Sequence, residues 1–92
     1  MGMKIGYARV SSAGQRLDVQ FERLADCDRV FHEKASGATT KHRPELQNAL
    51  NFVRDDDAFV VIKLDRLTRS VVDLSVIVQK LESKKVDLVV LD

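Results

Sequence analysis

The chain has 92 residues, 45% of them hydrophobic and 32% charged, with a formal net charge of +1. That length allows one domain, able to bury about 60–65% of its unfolded surface, and the composition excludes a disordered tail. The near-neutral charge excludes nucleic-acid binding by bulk electrostatics, so any contact with a polyanion depends on where the positive charges sit.

In chain order, short β-rich runs alternate with helical periods. Residues 5–10 form the first run. Leu17, Phe21, Leu24 and Ala25 then recur at helical spacing, and Val30 with Phe31 begins a second strand. Leu46, Ala49, Leu50 and Val53 are spaced i, i+3, i+4, i+7, the face of an amphipathic helix. Pro44 followed by Glu45 suits its first turn. Residues 54–58, "RDDDA", read as a polar, solvated corner rather than a metal site, since no His or Glu joins the acids. Residues 59–62 are strongly β-prone. Ser70 with Asp73 three residues later resembles a capping box, and Leu74, Ile77, Val78 and Leu81 continue as a helix. "SKK" at 83–85 ends that helix with cations that favour its dipole, and residues 88–91 make a last strand. The alternation predicts an α/β fold in three layers: a mainly parallel four-stranded sheet with helices on both faces.

The chemistry gathers at strand ends. Alternate side chains of a strand share a face about 6.6 Å apart, so Tyr7, Arg9 and Ser11 point one way while Gly6, Ala8 and Val10 point the other. Ligands of open α/β sheets bind at the carboxyl ends of the strands. The third strand carries Asp65, Arg66 and Arg69 toward that edge. A hydroxyl, one acid and three arginines in one place suit an anionic phosphate, because guanidinium forks onto phosphate oxygens and stays charged. Phosphoryl transfer is mostly positioning plus charge stabilisation. Bland readings stand beside this one. Ser11 or Ser12 can cap the helix that follows, and Asp65 can be a turn residue paired with an arginine. Arg9 is harder to absorb, since a half-buried guanidinium costs free energy unless an anion meets it.

Other chemistries lack their residues. "SSAGQ" is no P-loop, and no G-x-G-x-x-G follows the first strand. His32 and His42 lie on the second strand and in the polar loop of residues 34–43, away from the serine a triad needs. Two histidines and one cysteine, widely separated, make no zinc site, so no metal or cofactor is expected. Cys27 alone builds no disulfide, and its place is a packed helix face. No apolar run nears the about 20 residues of a membrane span. "MGMK" has no apolar leader behind it, which predicts a cytoplasmic protein.

"YARVSS", then Gln15 and Gln20, Ser36 with Gly37, Arg43 with Pro44, and "KLDRLTRS" at 63–70 together resemble the serine recombinases, the resolvase/invertase-type site-specific DNA recombinases. The resemblance runs over essentially the whole chain in order, and its paired Y-x-R-x-S and D-R-L-x-R motifs are specific. It implies a resolvase-like fold and Ser11 as nucleophile on a DNA phosphodiester, releasing a 3′-hydroxyl and leaving a 5′-phosphoserine link. Arg9, Arg66 and Arg69 would stabilise the scissile phosphate, and Asp65 would orient arginines or help with protons. Tyr7, Gln15, Gln20, Ser36 and Arg43 match further active-site positions. Thr68 departs from the Gly or Ser of many members. The resemblance also implies no metal, nucleotide or small-molecule substrate, double-stranded DNA as partner, and dimers that assemble into tetramers on the nucleoid. Residues 1–92 would be a catalytic core whose dimerising helix and helix-turn-helix domain belong to a longer protein, and the core alone would bind DNA weakly and not recombine it. The alternatives are a recombinase-like module kept for regulation or dimerisation, and a metal-free phosphate-binding or phosphatase-like domain.

Overall fold

The computed structural model describes residues 2–10, 17–34 and 43–92. Among the described residues eight elements follow one another: β1 (Lys4–Val10), α1 (Leu17–Arg23), β2 (Arg29–Lys34), α2 (Pro44–Phe52), β3 (Ala58–Val61), α3 (Leu64–Leu67), α4 (Val71–Ser83) and β4 (Asp87–Val90). The strands form one sheet in the order β2-β1-β3-β4. Every pairing is parallel, with Tyr7 opposite Phe31 on one side and opposite Val61 on the other. The predicted three-layer α/β architecture is what forms.

Each face of the sheet has its own core. Ile5, Tyr7, Phe59 and Val61 meet Leu46, Ala49 and Leu50 of α2, Leu67 of α3, and Ile77 and Leu81 of α4. The opposite face packs Ala8, Val60 and Ile62 against Leu24 and Cys27, which follow α1. Gly6 permits this second contact. A Cβ there would meet the Cys27 sulfur at 3.1 Å and Leu24 at 3.3 Å, tighter than side chains accept without a shift. Burial pushes the Cys27 thiol up, against the weaker pull of Lys4, which makes it less reactive than an ordinary thiol.

Alternation of strand and helix is local and was legible; details set by neighbours differ. The α2 face forms as its spacing predicts. Of the expected α1 face, Leu24 is buried, but Phe21 is exposed and lies edge-on to His32 at 5.0 Å. Gln20 is buried instead, because a seven-residue helix ends before Leu24 and turns its Gln20 side toward the end of β1. The acidic corner also divides. Asp55 and Asp56 are exposed, whereas Asp57 is buried and accepts from Met3 N and Arg54 N, each at 2.8 Å, pinning the start of β1 to the turn before β3. Among the described residues no cluster of His, Cys, Asp and Glu fits a metal ion, and no helix is long and apolar enough to cross a membrane.

The cap at α4 forms as predicted, with the Ser70 hydroxyl accepting from Asp73 N at 3.2 Å. The cations closing α4 do more than balance its own dipole. Lys84 Nζ reaches across to α2 and donates to the carbonyls of Leu50 (2.7 Å) and Val53 (3.3 Å). The last turn of α2 contains no basic residue of its own, so Lys84 supplies the cation that a helix C-terminus favours. The single turn α3 escapes the apolar pattern altogether, since four residues are too few to show a period.

Candidate active site

Sheet order locates the site before any side chain does. From β1 the chain crosses to β2 on one side and later to β3 on the other, so the topological switch lies at the carboxyl ends of β1 and β3, where open α/β sheets bind ligands. Arg9 stands at the end of β1, and β3 runs through Ile62 into α3 with Asp65, Arg66 and Leu67. Parallel pairing of β1 with β3 brings the two segments to one edge. The Y-x-R-x-S strand and the D-R-L-x-R segment are therefore neighbours as far as the structure describes them. Ser11, Gln15 and Ser36 lie outside the described residues.

Two arginines are buried at this edge: Arg9 is 0% exposed and Arg43 1%. Arg9 Nε donates to the carbonyl of Arg66 at 3.0 Å, and one of its terminal nitrogens to that of Asp65 at 2.6 Å. Arg43, just before Pro44 opens α2, donates Nη2 to the carbonyl of Leu67 and Nε to the Tyr7 hydroxyl at 3.3 Å. Its Nη1 is buried without an acceptor among the described residues. Burial holds the Arg9 guanidinium below its ordinary pKa, reinforced by the charges of Arg43, Arg69 and Arg66. A guanidinium remains protonated even so. The edge is accordingly a nest of positive charge.

Arg66 is half-buried and Arg69 exposed, so these two present cation to solvent. The Asp65 side chain is exposed, while its carbonyl takes the Arg9 bond. Gln20, buried on α1, donates Nε2 to the carbonyl of Arg9 at 3.2 Å and so fixes the backbone two residues before Ser11; its Oε1 is buried without a donor among the described residues.

Tyr7 has a partner that the sequence reading did not single out. Its hydroxyl donates to Glu33 Oε2 at 2.6 Å, and the same carboxylate accepts from Leu46 N at 3.0 Å and Glu45 N at 3.2 Å. Glu33 thus caps α2 from the end of β2. The N-cap residue, Arg43, has donors only and offers no side-chain cap, and an acid at a helix N-terminus also favours its dipole. Burial first, then the bond to Glu33, drive the Tyr7 phenol far above its ordinary pKa, against a smaller opposing pull from Arg43. One signal for Glu33 was present: alternation puts it on the same strand face as the buried Phe31, in register with Arg9.

Comparison with known proteins agrees with this geometry. Residues 4–92 match the family described as "Resolvase, N terminal domain". The chain belongs to the resolvase N-terminal domain family. It is 45% identical over 86 residues to the transposon Tn552 DNA-invertase BinR of Staphylococcus aureus, covering 91% of this chain and 44% of that protein. Over 85 residues it is 46% identical to the Tn501 resolvase of Pseudomonas aeruginosa, covering 92% and 45%. Over 82 residues it is 44% identical to the DNA-invertase hin of Salmonella typhimurium, covering 87% and 43%. The chain spans about half the length of the curated relatives it matches. A solved serine recombinase from Sulfolobus solfataricus superposes with a TM-score of 0.72 at 25% identity, over 98% of this chain and 70% of that one. The resolvase-family fold therefore covers the sheet, its helices and the arginine-lined edge alike.

Proposed function

We propose that this domain carries the strand-cleaving chemistry of a site-specific serine recombinase acting on double-stranded DNA. The observation that carries the reading is the bond network joining the two motifs: Arg9 of the first strand holds the backbone of Arg66 and Asp65 beyond the third. Ser11 follows Arg9 by two residues and is the nucleophile. Its Oγ forms a bond to the phosphorus of a DNA phosphodiester as the bond from phosphorus to the 3′-oxygen breaks. The serine proton leaves and the departing oxygen takes up a proton, giving a free 3′-hydroxyl and a 5′-phosphoserine. Attack by a 3′-hydroxyl on that ester reverses the step after strand exchange and conserves the bond energy. Arg66 and Arg69 meet the phosphate oxygens, where charge grows in the transition state. Asp65 orients these arginines or handles protons.

Tyr7 is excluded as the rival nucleophile by its chemistry, since a phenol held well above its ordinary pKa and donating to Glu33 is a poor source of phenolate. Gln20 and Arg43 support the site from α1 and from the start of α2, and the motif match assigns Gln15 and Ser36 to the same site. The chemistry draws on arginine charge and needs no metal or nucleotide. In the longer recombinase the domain works in dimers that assemble into tetramers on a specific DNA site.

Covalent trapping tests the proposal. Duplex site DNA carrying a nick or mismatch stalls religation, so the recombinase carrying this domain accumulates a protein–DNA adduct. The adduct should map to Ser11 and vanish in Ser11→Ala. An adduct on Ser12 or Tyr7 would refute the assignment.

A further inference from the structure

We propose that Thr68 is a positioning residue for strand cleavage: its buried hydroxyl fixes the backbone that carries Arg69 and so aims that arginine at the phosphate. The inference rests on the phosphate-binding reading above and gives a task to the unspecified position of the D-R-L-x-R motif.

Arg66 and Arg69 are three residues apart, a spacing that puts side chains on one face of a continuous helix. Here the helix does not continue. α3 closes after Leu67 with the bond from Thr68 N to the carbonyl of Leu64 at 2.9 Å, and Thr68 itself is extended, at φ −164° and ψ 153°. Helical phase therefore no longer ties Arg69 to Arg66. The direction of Arg69 is set by the bridge that Thr68, Arg69 and Ser70 form to the start of α4.

The bridge is fastened through the two neighbours of Arg69. Thr68 Oγ1 accepts from Ser70 N at 3.1 Å, closing a turn whose middle residue is Arg69. The Ser70 hydroxyl accepts from Asp73 N at 3.2 Å and its carbonyl from Leu74 N at 2.9 Å, which ties the far end to α4. Burial sorts the three residues by task. Thr68 is 5% exposed and Ser70 half-buried, while Arg69 is exposed, so the turn anchors inward and leaves the guanidinium outward. That guanidinium belongs to the active edge: after burial and Arg43, its charge helps hold the Arg9 guanidinium below its ordinary pKa. Stabilisation by fixed charge requires the charge to be in place before the phosphate arrives. A β-branched side chain has few χ1 states, which makes Thr68 a stiff clamp for the peptide planes on either side of Arg69.

Two substitutions and two readouts test this. In the recombinase carrying this domain, adduct formation is timed in a single turnover at saturating nicked site DNA, so that affinity does not enter. Thr68→Val, which loses the hydroxyl and keeps the shape, should slow the step about tenfold or more, since misplacement by about 1 Å can cost about a hundredfold. Thr68→Ser, which keeps the hydroxyl, should recover most of the rate. A parent-like rate in Thr68→Val would overturn the proposal and leave the phosphate site standing. The second readout is the arginine Nε–H resonances of the chain during titration with inorganic phosphate. Arg66 and Arg69 should both respond in the unaltered chain; in Thr68→Val the Arg69 signal should start displaced and respond weakly, with Arg66 unchanged. An Arg69 response identical in both proteins would reduce Thr68 to a structural role and overturn the aiming. Silence from both arginines in the unaltered chain would overturn the phosphate reading itself. Should Thr68→Val fail to fold, exchange of the Ser70 amide in the unaltered chain decides: it should be slowed at least about tenfold against an open peptide by its bond to Thr68, and free exchange would overturn the clamp.

Discussion

Replacing Glu33 with alanine removes one carboxylate and, with it, three hydrogen bonds: from the Tyr7 hydroxyl at 2.6 Å, Leu46 N at 3.0 Å and Glu45 N at 3.2 Å. Loss of an N-terminal cap costs about 1 kcal/mol. The Tyr7 hydroxyl, on a residue with no exposed surface, is left without its acceptor, at about 1–2 kcal/mol more. The total is about 2–3 kcal/mol, a large part of the about 5–15 kcal/mol that holds a domain of this size. At about 4–8 °C per kcal/mol, Glu33→Ala should melt about 10–20 °C lower in a thermal scan followed by far-UV circular dichroism at pH 7. A double-mutant cycle isolates the shared bond. Tyr7→Phe alone should cost about 1 kcal/mol, and the pair should fall short of additivity by about 1 kcal/mol. If Glu33→Ala lies within about 0.5 kcal/mol of the parent in urea denaturation, or the two losses simply add, then the carboxylate does not hold Tyr7 and α2 together as argued.

Tyr7 is the single tyrosine in a chain with no tryptophan, so absorbance at 295 nm reports it alone. Its folded pKa is raised above the ordinary 10.0, which means the folded state favours the neutral phenol. That contribution to stability is present in full below pH 10 and is lost as pH rises toward the folded value. Phenolate absorbance should therefore stay flat past pH 10 and appear together with loss of the circular dichroism signal; reversible ionisation near 10 in a folded chain would contradict the buried Tyr7–Glu33 bond. Lys84→Met removes the ammonium that bonds the last carbonyls of α2 and should cost about 1–2 kcal/mol in urea denaturation. Lys84→Arg should recover part of that loss, and equal stability of all three proteins would show the contact to be idle.

Much of the active edge was legible because its signals are local. Tyr7, Arg9, Asp65, Arg66 and Arg69 sit in two short motifs, each at the end of an apolar run, and parallel topology alone puts those ends together. What escaped were pairings across long stretches of chain. Glu33 meets Tyr7 over 26 positions and Lys84 meets Leu50 over 34, and nothing in the spacing of either residue names its partner. The α3 turn escaped for a related reason. Its carbonyls are satisfied by Arg9 and Arg43, 57 and 24 positions away along the chain, instead of by a continuing helix.

By itself, then, the amino-acid order determined which segments become strands and helices, that the sheet is parallel, and which end of it carries the charged groups. Periodicity and strand polarity are properties of neighbouring residues, and they survive without knowledge of the packed whole. Only the tertiary structure decided that two of the arginines lie inside and two outside. Whether a guanidinium spends its donors on a carbonyl or keeps them for a phosphate depends on what the fold sets against it, because a buried donor takes the nearest acceptor that packing supplies.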